Sequence, residues 1–233
     1  MIPMRTVAFG LLVALALVGI PGGASDTAPT PTPHTSGWTV EPVALFGGSS
    51  PPQIALASDG VPQVLYCPVG QAWWANRTPP GWAAEFVTPT PGGGGCGGLA
   101  LAPDGTPRIY MYSEPPSESA RAMLWTRIGG SWSGVNGTVP SGSLAVDSLG
   151  RAHIAAEEYV PNGTEWDHFL HYGMYDGLAW NVTRVDFYGT TSFAFIGAHW
   201  ESLALDAQDN PHVLYYDPLR GDVRYAFRNA TGW

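Results

Sequence analysis

The sequence predicts an all-β protein, and three observations predict it. Glycine (30) and proline (22) make up more than a fifth of the 233 residues, and both interrupt helices. Aromatic residues reach 12%, with ten tryptophans, a load suited to strands and their packed faces. Four segments then repeat one pattern of alternating apolar and small residues, a turn and a second alternating run, which is the period of a half-buried strand. Charged residues are only 12% against 45% hydrophobic, which excludes a disordered acidic chain and a long charged coiled coil. The formal net charge is −9 and all ten basic residues are Arg. Without a basic stripe there is no footprint for nucleic acid, and an anionic membrane surface is disfavoured for the same reason.

In chain order, Arg5 and the apolar run Val7–Ile20 read as a secretory signal too short to span a bilayer comfortably. Small residues around Pro21–Ala24 place cleavage after Ala24, which makes residues 1–24 a leader; an uncleaved anchor is the alternative. No membrane insertion is expected after cleavage, and the remainder is expected to be secreted or held at the cell surface. Residues 25–36 form a Pro/Thr-rich linker with polyproline II character. Residues 37–233 carry the repeats. Five of the six asparagines (Asn76, Asn136, Asn162, Asn181 and Asn229) lie in Asn-x-Ser/Thr triplets, read as glycosylation acceptors on exposed loops and strand ends. Cys67 and Cys96, the two cysteines, are expected to form one disulfide after export.

The repeats begin at Ile54, Leu99, Leu144 and Leu203, separated by 45, 45 and 59 residues. In each, a short strand such as Leu203-Ala-Leu205 meets an Asp/Gly/Asn turn and continues into a second strand such as His212–Tyr216. A third strand and a Trp follow (Trp82, Trp132, Trp180, Trp233). Weaker fourth strands follow the first three of these, at Ala84–Val87, Gly134–Val135 and Val182–Val185. The longer last step accommodates insertions around Pro161–Asp167 and Phe187–Trp200. Four strands in 45–55 residues is one propeller blade, and blades bury their faces by stacking. The expected fold is a β-propeller of about four four-stranded blades, with the Trp and Tyr side chains filling the space between them. Gly37–Ala44 matches a Trp-plus-fourth-strand piece, so it could complete the last unit and close a four-blade ring. The other expectation, slightly favoured, is an incomplete propeller from a longer, six- to eight-blade protein.

At Ser202–Asp217 and Gly221–Ala226 the chain resembles the tandem repeats of secreted bacterial and archaeal β-propellers grouped with sialidase-like, BNR-type proteins. The resemblance covers roughly residues 37–233 and implies a propeller. The Asp-boxes of sialidases, Ser-x-Asp-x-Gly-x-x-Trp, are absent. No Arg here maps onto the triad that sialidases use for the substrate carboxylate, and no Tyr/Glu pair onto their nucleophile.

Two constellations could carry chemistry. Gln63, Arg108, His153 and His212 occupy one position in the four second strands; lining a central channel, they would bind a small polar ligand, whereas the plainer reading has them bonding neighbouring turns. Glu157, Glu158 and His171, with Asp167 and His168 nearby, bracket the insertion in the third unit. Carboxylates beside His permit acid–base work, although solvated loop charge is the plainer expectation, and Glu157 and Glu158 must point to opposite faces of a strand. Asp206, Asp209, Asn210, Asp217 and Asp222 lack the spacing of a calcium loop. No metal site and no cofactor is expected, and the glycine run at Gly92 reads as a flexible loop. The function expected is recognition of a glycan, a peptide or a cell-surface partner, with no enzymatic activity; the alternatives are an extracellular glycoside hydrolase or lyase, and a structural piece of a large cell-surface protein.

Overall fold

A computed structural model describes residues 32–33, 39–44, 50–90, 95–113, 121–137, 142–192, 201–217 and 219–233. The leader (1–24), Gly92–Gly94 and 193–200 of the second insertion lie outside the described residues, as does most of the linker. The chain divides into two units, Met1–Glu41 and Pro42–Trp233. In the first, β1 (Thr32–Pro33) and β2 (Thr39–Val40) pair antiparallel. Thr32–Pro33, inside the Pro/Thr segment, thus pairs with Thr39–Val40, inside the Gly37–Ala44 piece.

The second unit is all-β, four antiparallel sheets arranged as the blades of a β-propeller. Blade 1 holds β3 (Gln53–Leu56), β4 (Pro62–Tyr66), β5 (Gln71–Thr78) and β6 (Gly81–Pro89). Blade 2 holds β7 (Cys96–Leu101), β8 (Pro107–Ser113), β9 (Arg121–Ile128) and β10 (Ser131–Asn136). Blade 3 holds β11 (Ser143–Val146), β12 (Ala152–Asn162), β13 (Glu165–Tyr175) and β14 (Trp180–Thr191), and blade 4 holds β15 (Ser202–Leu205), β16 (Pro211–Asp217) and β17 (Asp222–Phe227). Strands pair in chain order within every sheet, and among the described residues the last sheet has three.

The turn between the first two strands is built identically four times. Its sharpest residue has positive φ: Gly60 (81°), Gly105 (79°), Gly150 (78°) and Asp209 (62°). That left-handed region suits glycine and tolerates aspartate. A carboxylate caps each turn, from Asp59 onto Val61 N, Asp104 onto Thr106 N, Asp147 onto Leu149 N and Asp206 onto Gln208 N.

Three cores lie between successive blades. Leu65, Ala72 and Trp74 of blade 1 pack with Leu99, Ile109 and Met111 of blade 2. Tyr110, Ala122 and Leu124 of blade 2 pack with Ala152, Ile154 and Ala156 of blade 3. Ala155, Leu170 and Tyr188 of blade 3 pack with Leu203, Val213 and Tyr215 of blade 4. The recurring Trp makes an edge-to-face contact with an aromatic ring of the preceding blade each time: Trp132 with Trp74 at 5.9 Å, Trp180 with Tyr110 at 6.2 Å and Trp233 with Tyr172 at 4.9 Å between centroids. These T-shaped geometries favour aromatic pairs beyond their buried area. The Cys67–Cys96 disulfide, with Cα atoms 6.0 Å apart and a sequence separation of 29, ties blade 1 to the first strand of blade 2.

Blades meet most closely at their first strands. A Cβ on Gly98 would lie 2.7 Å from Leu144 Cβ and 3.2 Å from Leu144 N. Gly97 and Gly98 therefore belong to β7, and this part of the glycine run is structural instead of loop. Gly98→Ala is expected to lower stability by about 1–3 kcal/mol through overpacking, read as a lower urea midpoint at unchanged slope. Ala at the open position Gly129 would strain only its own turn and is the control for a local effect.

Candidate functional site

The four second-strand residues each bond to neighbours within the fold. Gln63 accepts from Trp74 Nε1 at 2.9 Å and donates to Gly105 O at 3.2 Å. Arg108 bonds Thr126 Oγ1 at 2.5 Å and donates to Gly150 O at 3.2 Å. Each thus latches its own third strand to the turn of the next blade. At the third junction the contact runs from turn to turn: Ser148 N and Oγ donate to the Asp209 carboxylate at 3.0 and 2.5 Å. His153 stays within blade 3, with Nε2 3.0 Å from Asp147 Oδ2 and Nδ1 2.5 Å from Tyr172 Oη. Burial pushes His153 down; Asp147, although burial raises it, is held below the ordinary carboxylate range by bonds from His153 and Arg151. His212 lies 2.6 Å from Tyr225 Oη and 3.5 Å from Asp206.

The second constellation sits on the long strands of blade 3, where the Pro161–Asp167 insertion continues the β12–β13 hairpin to Asn162 and Glu165. Glu157 and Glu158 diverge as neighbours on a strand must. On the face toward blade 4, Glu157 is only 8% exposed. Its backbone N–H donates to Glu201 Oε1 at 3.1 Å, and its own Oε1 lies 3.6 Å from His168 Nδ1. The Tyr159 ring stands 4.8 Å from His168. Burial pushes the carboxyls of Glu157 and Glu201 up to about 7; the charge of Asp217 adds to the rise at Glu157, and that of Glu157 to the rise at Glu201. On the opposite face, Glu158 Oε2 lies 2.9 Å from His171 Nε2, and Arg184 Nε lies 3.3 Å from the same nitrogen while its guanidinium covers the Phe169 ring at 4.0 Å. Burial pushes His171 down. Solvated loop charge is therefore corrected for Glu157, His168 and His171, which are buried, because the insertion extends paired strands and keeps these side chains between sheets.

Sequence reasoning missed Glu201, which lies 44 residues from Glu157. Alignment of the repeats held a signal: that position is Gly97 in blade 2 and Gly142 in blade 3, so a carboxylate there departs from the pattern. Among the described residues no group of three or more His, Cys, Asp or Glu is arranged to hold a metal ion. A shallow pocket lined by Thr88, Thr90, Met111, Tyr112, Met123 and Trp125 lies elsewhere, between blades 1 and 2.

No family model matches the chain, and no curated sequence does. Solved structures do. The chain is similar to a Hadza microbial sialidase at 12% identity and TM-score 0.52, over 78% of this chain and 44% of that one. It is similar to a gluconolactonase from Xanthomonas campestris at 16% identity and TM-score 0.44, over 84% and 64%. A fucose lectin from Kordia zhangzhouensis aligns at 14% identity and TM-score 0.36, over 57% of this chain and 97% of the lectin. The chain spans less than two thirds of the sialidase and of the gluconolactonase. The sialidase likeness supports the propeller fold and nothing finer.

The raised carboxyls give stability a pH dependence. Glu157 and Glu201 hold protons up to about 7 in the fold but release them near 4.3 when unfolded. Their contribution is complete below the unfolded value and is lost as pH rises through about 7. Tm should therefore fall between pH 5 and pH 8, and Glu157→Gln with Glu201→Gln should flatten that fall. A fall as steep in the double variant would contradict the assignment.

Proposed function

We propose that the chain is an exported recognition module whose binding surface is the elongated hairpin of blade 3, and that its ligand is a glycan. One observation carries this reading. The three long strands of blade 3 have 11, 11 and 12 residues, whereas the strands of the other blades have four to nine. A repeated scaffold with one outgrowth is how repeat proteins present binding surfaces. The outgrowth carries polar groups and rings together. Asp167 accepts from Asn162 Nδ2 at 3.2 Å and from Thr190 Oγ1 at 2.6 Å, half-buried Trp166 precedes it, and Phe187 is exposed. Amide, carboxylate and hydroxyl groups beside an aromatic ring suit a sugar, which offers hydroxyls on its rim and an apolar face. The disulfide supports a place outside the reducing cytoplasm. Four of the five sequon asparagines are exposed, and Asn76 in β5 is half-buried.

A second reading, an extracellular glycoside hydrolase or lyase, draws on Glu157 and Glu201. A carboxyl near 7 is poised for proton transfer at neutral pH. The burial of Glu157 between blades favours binding over turnover. A glycan array probed with the purified chain, beside fluorogenic glycosides, separates the two. Binding that falls at least tenfold in Asp167→Ala and Trp166→Ala, without turnover, is expected. Binding indifferent to both substitutions contradicts the proposal, and turnover abolished by Glu157→Gln would establish the hydrolase instead.

A further inference from the structure

The sequence holds two Asn-Gly dipeptides, Asn136-Gly137 and Asn162-Gly163. The amide carbon of an asparagine can close a five-membered ring onto the backbone nitrogen of the next residue, and a glycine there has no Cβ to crowd the approach. The fold puts the two dipeptides in opposite settings. Asn136 ends β10, where Gly137 N donates to Ala122 O at 2.8 Å and Trp180 Nε1 donates to Asn136 O at 2.8 Å. A Cβ on Gly137 would lie 2.6 Å from Tyr110 Oη and 3.0 Å from Ala122 Cβ. Its nitrogen is engaged and its peptide plane has no room to turn. Asn162 ends β12 at the tip of the outgrowth and pairs with Glu165 across Gly163 and Thr164. All four residues are exposed. Gly163 has a φ of 66°, nothing lies within 4 Å of a Cβ built on it, and among the described residues no backbone carbonyl accepts from its nitrogen. Closing the ring takes Asn162 out of its extended conformation, and at the last pair of a hairpin this opens that pair alone.

We propose that Asn162 is a site of spontaneous deamidation, and that the reaction removes a donor from the polar cluster of the outgrowth. Gly163 N attacks Asn162 Cγ. The N–Cγ bond forms, the Cγ–Nδ2 bond breaks, and Nδ2 leaves as ammonia with the proton from Gly163 N. Water then opens the cyclic imide at either carbonyl, giving aspartate or isoaspartate. Both products exchange the amide for a carboxylate, and isoaspartate also lengthens the backbone by a methylene at the turn. The amide nitrogen now lies 3.2 and 3.3 Å from the two oxygens of Asp167, and bonds from Thr190 and Asn162 hold that carboxyl below the ordinary range. After conversion Asp167 keeps Thr190 Oγ1 at 2.6 Å but faces a like charge in place of a donor. The reaction needs no ligand; its bearing on recognition rests on the outgrowth being the binding surface.

Both dipeptides lie in Asn-Gly-Thr triplets, so the test uses the full chain made without glycosylation. Peptide mass spectrometry follows it during incubation in mildly alkaline buffer, folded and in guanidinium chloride. In denaturant the two asparagines should convert at similar rates. In the folded chain Asn162 should convert to a mixture of aspartate and isoaspartate, and Asn136 about tenfold or more slowly, because its opening breaks the contacts at Gly137. Asn162→Gln, with a longer side chain, should abolish conversion at that position and leave Asn136 unchanged. A folded Asn162 that keeps its amide while the denatured one loses it would overturn the proposal. Equal rates at the two positions in the folded chain, or faster conversion at Asn136, would overturn it as well.

Discussion

The edge-to-face contact of Trp132 with Trp74, repeated as Trp180 with Tyr110 and Trp233 with Tyr172, is the contact on which the rest of the structure depends. A four-stranded antiparallel sheet with apolar residues on both faces cannot bury either one by itself. Each blade here solves that problem with its neighbour. One large aromatic ring covers roughly 150–250 Å², which at about 25 cal/mol/Å² is some 4–6 kcal/mol of transfer free energy as an upper bound. No single hydrogen bond in the fold approaches that, so the stacking of blades decides the architecture and polar contacts refine it.

The polar contacts fix the angle and spacing at which blades meet. Gln63 and Arg108 reach into the next turn at backbone carbonyls, where geometry leaves little freedom. Between blades 3 and 4, Asp209 takes the left-handed position held elsewhere by glycine. Its carboxylate collects both donors of Ser148, so a conformational cost at one residue is offset by two bonds across the junction. The same junction holds Glu157 and Glu201, whose carboxyls burial raises to about 7, and it adjoins the blade whose described strands are longest.

The strand pattern and the turns were legible because they are local. Period-2 alternation and a turn residue six positions after each repeat start need no knowledge of the fold. The radial stacking of blades followed from the repeat length. Three things were not legible. Thr39–Val40 carries a strand-like pattern, but pairing is a choice among partners, and it pairs with Thr32–Pro33. Glu201 is set against Glu157 by a junction that brings together residues 44 positions apart in sequence. The latching role of Gln63, Arg108 and Asp209 depends on where the next turn arrives, and identical strand positions hold chemically different residues. The elongation of blade 3 showed in the sequence only as a longer spacing, which cannot tell a loop from a continued hairpin.

The central claim is that burial between blades, and not the strand itself, gives each repeat position its energetic weight. Leu65 and Leu214 share one register position opposite an aromatic residue, yet one is sealed by the following blade and the other is half exposed. Urea unfolding of Leu65→Ala and Leu214→Ala compares them directly. The account predicts a loss of about 2–5 kcal/mol for Leu65→Ala and under about 1 kcal/mol for Leu214→Ala. Equal losses at the two positions would contradict it.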